Sequence, residues 1–190
     1  MPRTANYDVT KVLSQAIDVF LEFSFHGAIM DDIIARTGFN RRAFYLEFGS
    51  KQAFLYRVLE HYQQTQLFPV LVELEARRGM ISIEHFFNRY IRLIHGRGCL
   101  LINCISELGK QDDTVRNMGR HYLDRLQLDF IGCLERAQHM QEMAAGVNIE
   151  STALQLTSYV QGFAVTAVVA DSAEEMQLAT ATLLTPIKAG

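Results

Sequence analysis

The stretch that most limits how this chain can fold is Met30–Phe48. It holds two apolar-periodic runs of about two turns each, divided by a single glycine. Helices this short are marginal in isolation, so both must be held by caps and by packing against neighbours. The sequence supplies those devices. Gly38 follows the first run, where a helix end favours a left-handed backbone. Asn40 stands at the N-cap of the second. Phe39 at N′ and Phe44 at N4 have the spacing of a hydrophobic staple, which fixes the angle at which the chain enters the second helix. Gly49 ends that helix, and Ser50 caps a longer one beginning at Lys51.

The flanking sequence is also helical. Val9, Val12, Leu13, Ala16, Ile17, Phe20 and Phe23 repeat at helical spacing behind Asp8 as N-cap, and Ser24 to Gly27 breaks the run. The helix from Lys51 carries Phe54, Leu55, Val58, Leu59 and Tyr62, and Pro69 is expected to kink or break it before it continues to about Arg78. Further helices are expected from a Ser82 cap through Ile94, from Cys99 to Leu108, from Asp113 to Met143, and from Asn148 to Ala170. A last one starts at a Ser172–Glu175 capping box and ends before Pro186. No β-alternation stands out, so the fold class is all-α.

At 190 residues and 49% hydrophobic content the chain is long and apolar enough for a sizeable core. Its start, MPRTANYD, has no apolar run, and Phe163–Ala170 is too short to span a bilayer. Three cysteines, an odd count without an export signal, suggest reduced thiols and a cytoplasmic protein with no membrane partner. Residues 1–60 hold seven Lys/Arg against seven Asp/Glu, and the remainder eleven against fourteen, which gives the overall net charge of −3. Any grip on nucleic acid must therefore come from locally placed cations.

Two short helices joined by a tight glycine turn are what DNA reading needs. One braces, and the other lies in the major groove with its N-terminal residues at base edges. With Phe44 and Phe48 inward, Arg41, Arg42 and Tyr45 share the outward face. Arginine can fork onto guanine O6 and N7. Tyr45 can reach phosphate, and Lys51 adds charge at a helix N-terminus.

Val12–Leu59 resembles the N-terminal domain of the TetR (tetracycline-repressor) family of regulators. The resemblance rests on Ala16, Phe20, Phe25, Asp32-Ile33, Ala35, Thr37-Gly38-Phe39-Asn40-Arg41, Phe44-Tyr45, Phe48, Ser50-Lys51 and Ala53, at ungapped spacing. It implies a three-helix helix-turn-helix DNA-binding domain over residues 1–50. A helical ligand-binding and dimerisation domain would occupy 51–190, with the helix from Lys51 linking the two. It further implies that Asn40–Leu46 is the recognition helix, that Tyr45 and Lys51 contact phosphate, and that a homodimer binds a palindromic double-stranded operator and releases it to a small-molecule inducer. The chain departs from the family at Ala28-Ile29, where Ser or Thr is frequent, at Arg42, where a small residue is usual, and at Ala43, where a hydroxyl is usual. Arg3, on a short N-terminal arm, is a further candidate for minor-groove contact.

For the C-terminal region the same resemblance implies that the last two helices build a dimer bundle. Leu154–Ala170, apolar on most of its circumference, suits that role. It also implies an inducer pocket between the middle helices. Candidates are Phe86, Phe87, Tyr90, Tyr122, Tyr159 and Phe163, with Ile94, Leu108 and Met118 beside them and Asn103, Glu107, His121 and Arg125 as polar anchors. Ordinary core is the competing reading for each. Cys99 follows Gly98 at an expected helix N-terminus with His95 and Arg97 nearby, a setting that lowers a thiol pKa. Gly98-Cys99-Leu100 also resembles a TetR subgroup that includes electrophile- and oxidant-sensing repressors, with simple packing as the alternative. Cys133 reads as core. No cofactor and no metal are expected: there is no phosphate-binding glycine loop or HExxH spacing, and Cys104 lies on a different face of its helix from Cys99. Two rivals to a ligand-responsive repressor remain. One is a helical enzyme pairing Cys99 with His95 or His121. The other is a structural DNA-binding protein without a sensor.

Overall fold

The computed structural model describes residues 7–189, and among them the chain is all-helical apart from one isolated bridge between Met143 and Lys188. Helix α1 (Val9–Gly27) starts at Asp8, whose carboxylate accepts from the Thr10 and Lys11 amides at 2.9 and 3.3 Å. Ser24, at φ 59° and ψ −179°, breaks its regular path. Helices α2 (Met30–Thr37) and α3 (Arg41–Phe48) follow, then α4 (Lys51–Tyr62), capped by the Ser50 hydroxyl, which accepts from Ala53 N at 3.0 Å.

The regular helix is interrupted ahead of Pro69 and then continues, as expected, though only to Glu75 and not to about Arg78. The turn Gln63–Leu67 widens to π geometry, and α5 (Phe68–Glu75) continues with Pro69 near its start. The wide turn absorbs the missing N–H and makes room for the ring against the preceding turn. Helix α6 (Met80–Ile94) starts two residues before the expected Ser82 cap. Ser82 is buried instead and accepts from Arg78 N, while the Met80 amide is held at 2.9 Å by the Glu142 carboxylate.

Then come α7 (Leu100–Leu108), α8 (Asp113–His139), α9 (Ile149–Val169) and α10 (Ala173–Leu184). Helix α8 ends four residues short of the expected Met143, because residues 140–144 turn away to pair with the last residues: Ala144 N donates to Ile187 O and Ala189 N to Glu142 O.

Aromatic packing organises both halves. Phe20, Phe39, Phe44, Phe48 and Phe54 form the core of the first, with Phe44–Phe54 and Phe48–Phe54 centroids 4.9 and 4.5 Å apart. Phe86, Phe87, Tyr90, Phe130, Tyr159 and Phe163 form the core of the second. A fully buried side chain of this kind stabilises by roughly 1.5–3 kcal/mol, which is what lets two-turn helices persist. The halves meet where α1 and α4 pack on α7.

Candidate nucleic-acid interface and sensor core

The turn between α2 and α3 is built as its residues require. Gly38 adopts φ 66° and donates its N–H to Ile34 O. The Asn40 Oδ1 accepts from Arg42 N and Ala43 N at 2.9 and 3.3 Å, so the side-chain oxygen is used in capping α3. Phe39 meets Phe44 edge-on at 6.3 Å, the staple anticipated from their spacing. With Phe44 and Phe48 buried, α3 exposes Arg41, Arg42, Tyr45 and Leu46, the last at 79%. That surface belongs to a helix capped at its N-terminus and is exposed. Tyr7 was not singled out in the sequence and braces this helix from outside. Its ring lies 4.2 Å from Phe39, and its hydroxyl donates to Glu47 at 2.9 Å. Its position just before the α1 cap was the available signal. Arg3 lies outside the described residues.

Charge on this face is partly self-neutralised. Arg41 is paired with Asp31 of α2, a partner the sequence reading missed, and Arg36 with Glu22 at 2.8 Å. Arg42 has no ion-pair partner among the described residues. Lys51 is engaged inside the protein: its ammonium donates to the carbonyls of Phe25 and Ala28, each at 2.8 Å, and sits 4.5 Å over the Phe25 ring. An ammonium has three donors, so one remains for an outside acceptor. At Ile29, where the family often has a hydroxyl, α2 has no side-chain cap on its N3 amide. Asp32 instead accepts from Ile29 N at 3.1 Å.

In the C-terminal half the aromatic pocket candidates close on one another. Phe86 stacks with Tyr90 at 5.7 Å, and Tyr159 meets Phe163 at 4.2 Å. Cys99 corrects an expectation. It is indeed the N-cap of α7, but it is fully buried, and burial pushes its thiol pKa up. Desolvation outweighs the helix dipole and the nearby bonds. The cations expected to help are directed elsewhere: Arg97 pairs with Asp18 at 3.2 Å. The hydrogen bond to Cys99 Sγ comes from the Tyr62 phenol at 3.6 Å, and Tyr90 and Tyr122 are buried around the same thiol. Among the described residues His95 Nε2 has no hydrogen-bond partner, and His121 is exposed, so neither histidine forms a dyad with Cys99 there. Cys104 and Cys133 are likewise buried, their thiols pushed up to about 12 and about 11 by desolvation.

The polar anchors mostly point away from the aromatic core. Glu107 binds the end of α1: it accepts from Phe25 N, His26 N and His26 Nδ1. Arg125 is exposed, paired with Glu75 and lying 5.2 Å from the Phe68 ring. Asn103 is half-buried, close to Gly98. No cluster of three metal-binding side chains occurs among the described residues, and no described helix is long and apolar enough to cross a membrane.

Comparison with known proteins agrees with this architecture. Residues 12–58 match the model for bacterial regulatory proteins of the tetR family, and residues 79–183 match the tetracyclin repressor-like C-terminal domain. Among curated relatives, the uncharacterized HTH-type transcriptional regulator YezE of Bacillus subtilis is 24% identical over 75% of this chain and 76% of its own length. The HTH-type transcriptional repressor DhaR of Mycobacterium sp. is 27% identical over 67% and 65%. Among solved structures, a cysteine mutant of the TetR family regulator CifR complexed with 26-bp operator DNA superposes at TM-score 0.81, with 19% identity over 96% of this chain and 98% of that one. Reduced NemR of E. coli superposes at 0.78, with 19% identity over the same shares. The second match alone spans more than half of the sequence, and the chain belongs to the TetR family of transcriptional regulators.

Proposed function

We propose that this regulator is a repressor that binds a palindromic operator as a homodimer and lets go when a small molecule alters its C-terminal domain. The DNA-binding unit spans residues 1–50 and the remainder carries response and dimerisation. The observation that carries this reading is the capped helix α3, whose outward face of Arg41, Arg42 and Tyr45 is left unpacked while Phe44 and Phe48 anchor it. Arg42 and Arg41 read bases, Tyr45 and the free donor of Lys51 take phosphate, and Arg3 extends the contact into the minor groove. Asn40 acts through the cap. Support also comes from the relatives: DhaR is named a repressor, and CifR was solved on operator DNA.

The second copy covers α9 and α10. Helix α9 exposes Leu154, Val165, Val168 and Val169, and α10 exposes Leu178 at 70%, an apolar surface that calls for a partner. A two-fold dimer doubles a small contact and sets half-sites about 34–36 Å apart. Because the aromatic core is closed, an inducer must part Phe86, Phe87, Tyr90, Tyr159 and Phe163 to enter. An electrophile or oxidant reaches Cys99 only through such an opening.

Selecting genomic fragments on the purified protein tests the central claim. An enriched palindrome, lost in the double variant Arg41→Ala with Arg42→Ala, supports it; absence of any enrichment refutes it. Sedimentation of Val168→Asp tests the dimer, which should dissociate. The closed core also favours a second reading, a regulator without a ligand. A thermal-shift screen in which no compound stabilises the protein would favour that one.

A further inference from the structure

Helix α7 begins in the buried Cys99–Tyr62–Tyr90–Tyr122 cluster and ends beside the DNA-binding unit. Eight residues, about 12 Å of helix, separate Cys99 from Glu107. At the far end α1 is broken at Ser24, and the break leaves the Phe25 and His26 amides without helical partners. Glu107 takes both, Oε2 at 2.9 Å from Phe25 N and Oε1 at 2.8 Å from His26 N, and binds His26 Nδ1 at 2.7 Å. The carbonyls of the same joint, Phe25 and Ala28, are held by Lys51. Ala28 leads directly into Ile29, the N-cap of α2. A few residues beyond Glu107 the chain turns, and Asp112 caps α8 by accepting from Val115 N through Oδ1. Its other oxygen accepts from Tyr56 Oη at 2.7 Å and Gln52 Nε2 at 2.6 Å, both on α4. The two carboxylates, one on the last turn of α7 and one at the start of α8, thus hold the end of α1 and the linking helix α4.

We infer that Glu107 and Asp112 are positioning residues that set the angle of the DNA-reading helices on the C-terminal domain, Glu107 through the α1–α2 joint and Asp112 through α4. The inference rests on the DNA-binding reading. Charge-assisted hydrogen bonds are directional: three tie Glu107 to the end of α1 in the DNA-binding unit, and two tie Asp112 to the linking helix α4. Apolar packing of α1 and α4 on α7 would tolerate a few degrees of rotation, whereas these bonds do not. Because α7 is one rigid element, a displacement of its Cys99 end moves Glu107 and with it the start of α2.

Two variants separate positioning from folding. Glu107→Ala removes the grip on the joint. Asp112→Asn keeps a good N-cap for α8 and removes the acceptor facing α4. Both should bind a duplex enriched by the wild-type protein about tenfold more weakly, within the roughly 5- to 150-fold range of coupling between sites. The salt slope should stay unchanged because no phosphate contact is lost. Amide exchange of Phe25 and His26 should accelerate in Glu107→Ala while α6 and α9 keep their protection. Wild-type affinity in Asp112→Asn or in folded Glu107→Ala overturns the inference, and so does a weaker affinity accompanied by a shallower salt slope. If the wild-type protein enriches no duplex, the DNA-binding reading itself fails, and the exchange measurement still reports whether Glu107 holds the joint.

Discussion

Gly98 and Gly96 provide a controlled pair for testing how the loop between α6 and α7 is seated. Both have positive φ, 75° and 74°. A Cβ at Gly96 meets nothing within 4 Å, whereas one at Gly98 meets Ala164 O and Val168 Cγ2, each at 3.1 Å, and Asn103 Nδ2 at 3.4 Å. Either alanine costs roughly 1–2 kcal/mol for the left-handed backbone. A less flexible unfolded chain offsets about 0.4–1 kcal/mol of that. Gly96→Ala should therefore destabilise by at most about 1.6 kcal/mol. Gly98→Ala adds an overpacking cost of about 1–3 kcal/mol, because Ala164 O belongs to the backbone of α9 and cannot swing aside. A further loss of 1–3 kcal/mol at about 2–4 °C each lowers Tm by roughly 2–12 °C more than Gly96→Ala does. Thermal unfolding followed by circular dichroism measures the difference. Equal Tm values for the two variants would refute the claim that Gly98 is there for its approach to α9.

Maleimide labelling near neutral pH should modify Cys99, Cys104 and Cys133 at least about 100-fold more slowly in native than in denatured protein, since each is buried with a raised thiol pKa. Rapid native labelling of Cys99, read by mass spectrometry, would show the core to be open. Burial raises the Glu107 carboxyl, but bonds from the amides of His26 and Phe25 and from the His26 side chain outweigh it, so its pKa lies below the ordinary 4.5. Its contribution is then present above that value and is lost as pH falls through the depressed pKa. Amide protection of Phe25 and His26, corrected for intrinsic rates, should therefore fall in that acid range before α9 opens; protection lost only together with α9 contradicts this. Asp31→Asn should tighten binding to the enriched duplex a few-fold by freeing Arg41 and removing an anionic group from the DNA-facing surface. Weaker binding would mean that Asp31 usefully orients Arg41.

The parts legible in the sequence were those set by local chemistry. Asp8, Asn40, Ser50 and Ser172 cap the helices expected of them, the helix expected to open at Asn148 is capped by it, and Gly38 takes the left-handed turn. What local reasoning missed depends on residues far apart in the chain. Met80 is capped by Glu142, 62 residues away, which displaced the Ser82 cap. Glu107 has the spacing of a pocket anchor, yet its partners lie 81 and 82 residues earlier, at a break in α1. The helix terminus and neighbouring cations of Cys99 point to a lowered pKa, whereas full burial raises it, against the lowering hydrogen bonds from Tyr62 and Tyr90, and that burial depends on elements distant in the chain. The outward face of α3 followed directly from the Phe44–Phe48 spacing. The Asp31 pairing did not, because it depends on the angle between two helices.

The buried tyrosines around Cys99 have a spectroscopic consequence. The chain contains seven tyrosines and no tryptophan, so no indole drains or masks phenol emission. Tyr62, whose hydroxyl points at the Cys99 sulfur, and Tyr90 and Tyr122 beside it are therefore an intrinsic optical probe of the protein's interior. Sulfur close to an excited phenol quenches it. Any event that parts the Tyr62–Cys99 contact should brighten the ultraviolet emission of the unlabelled protein.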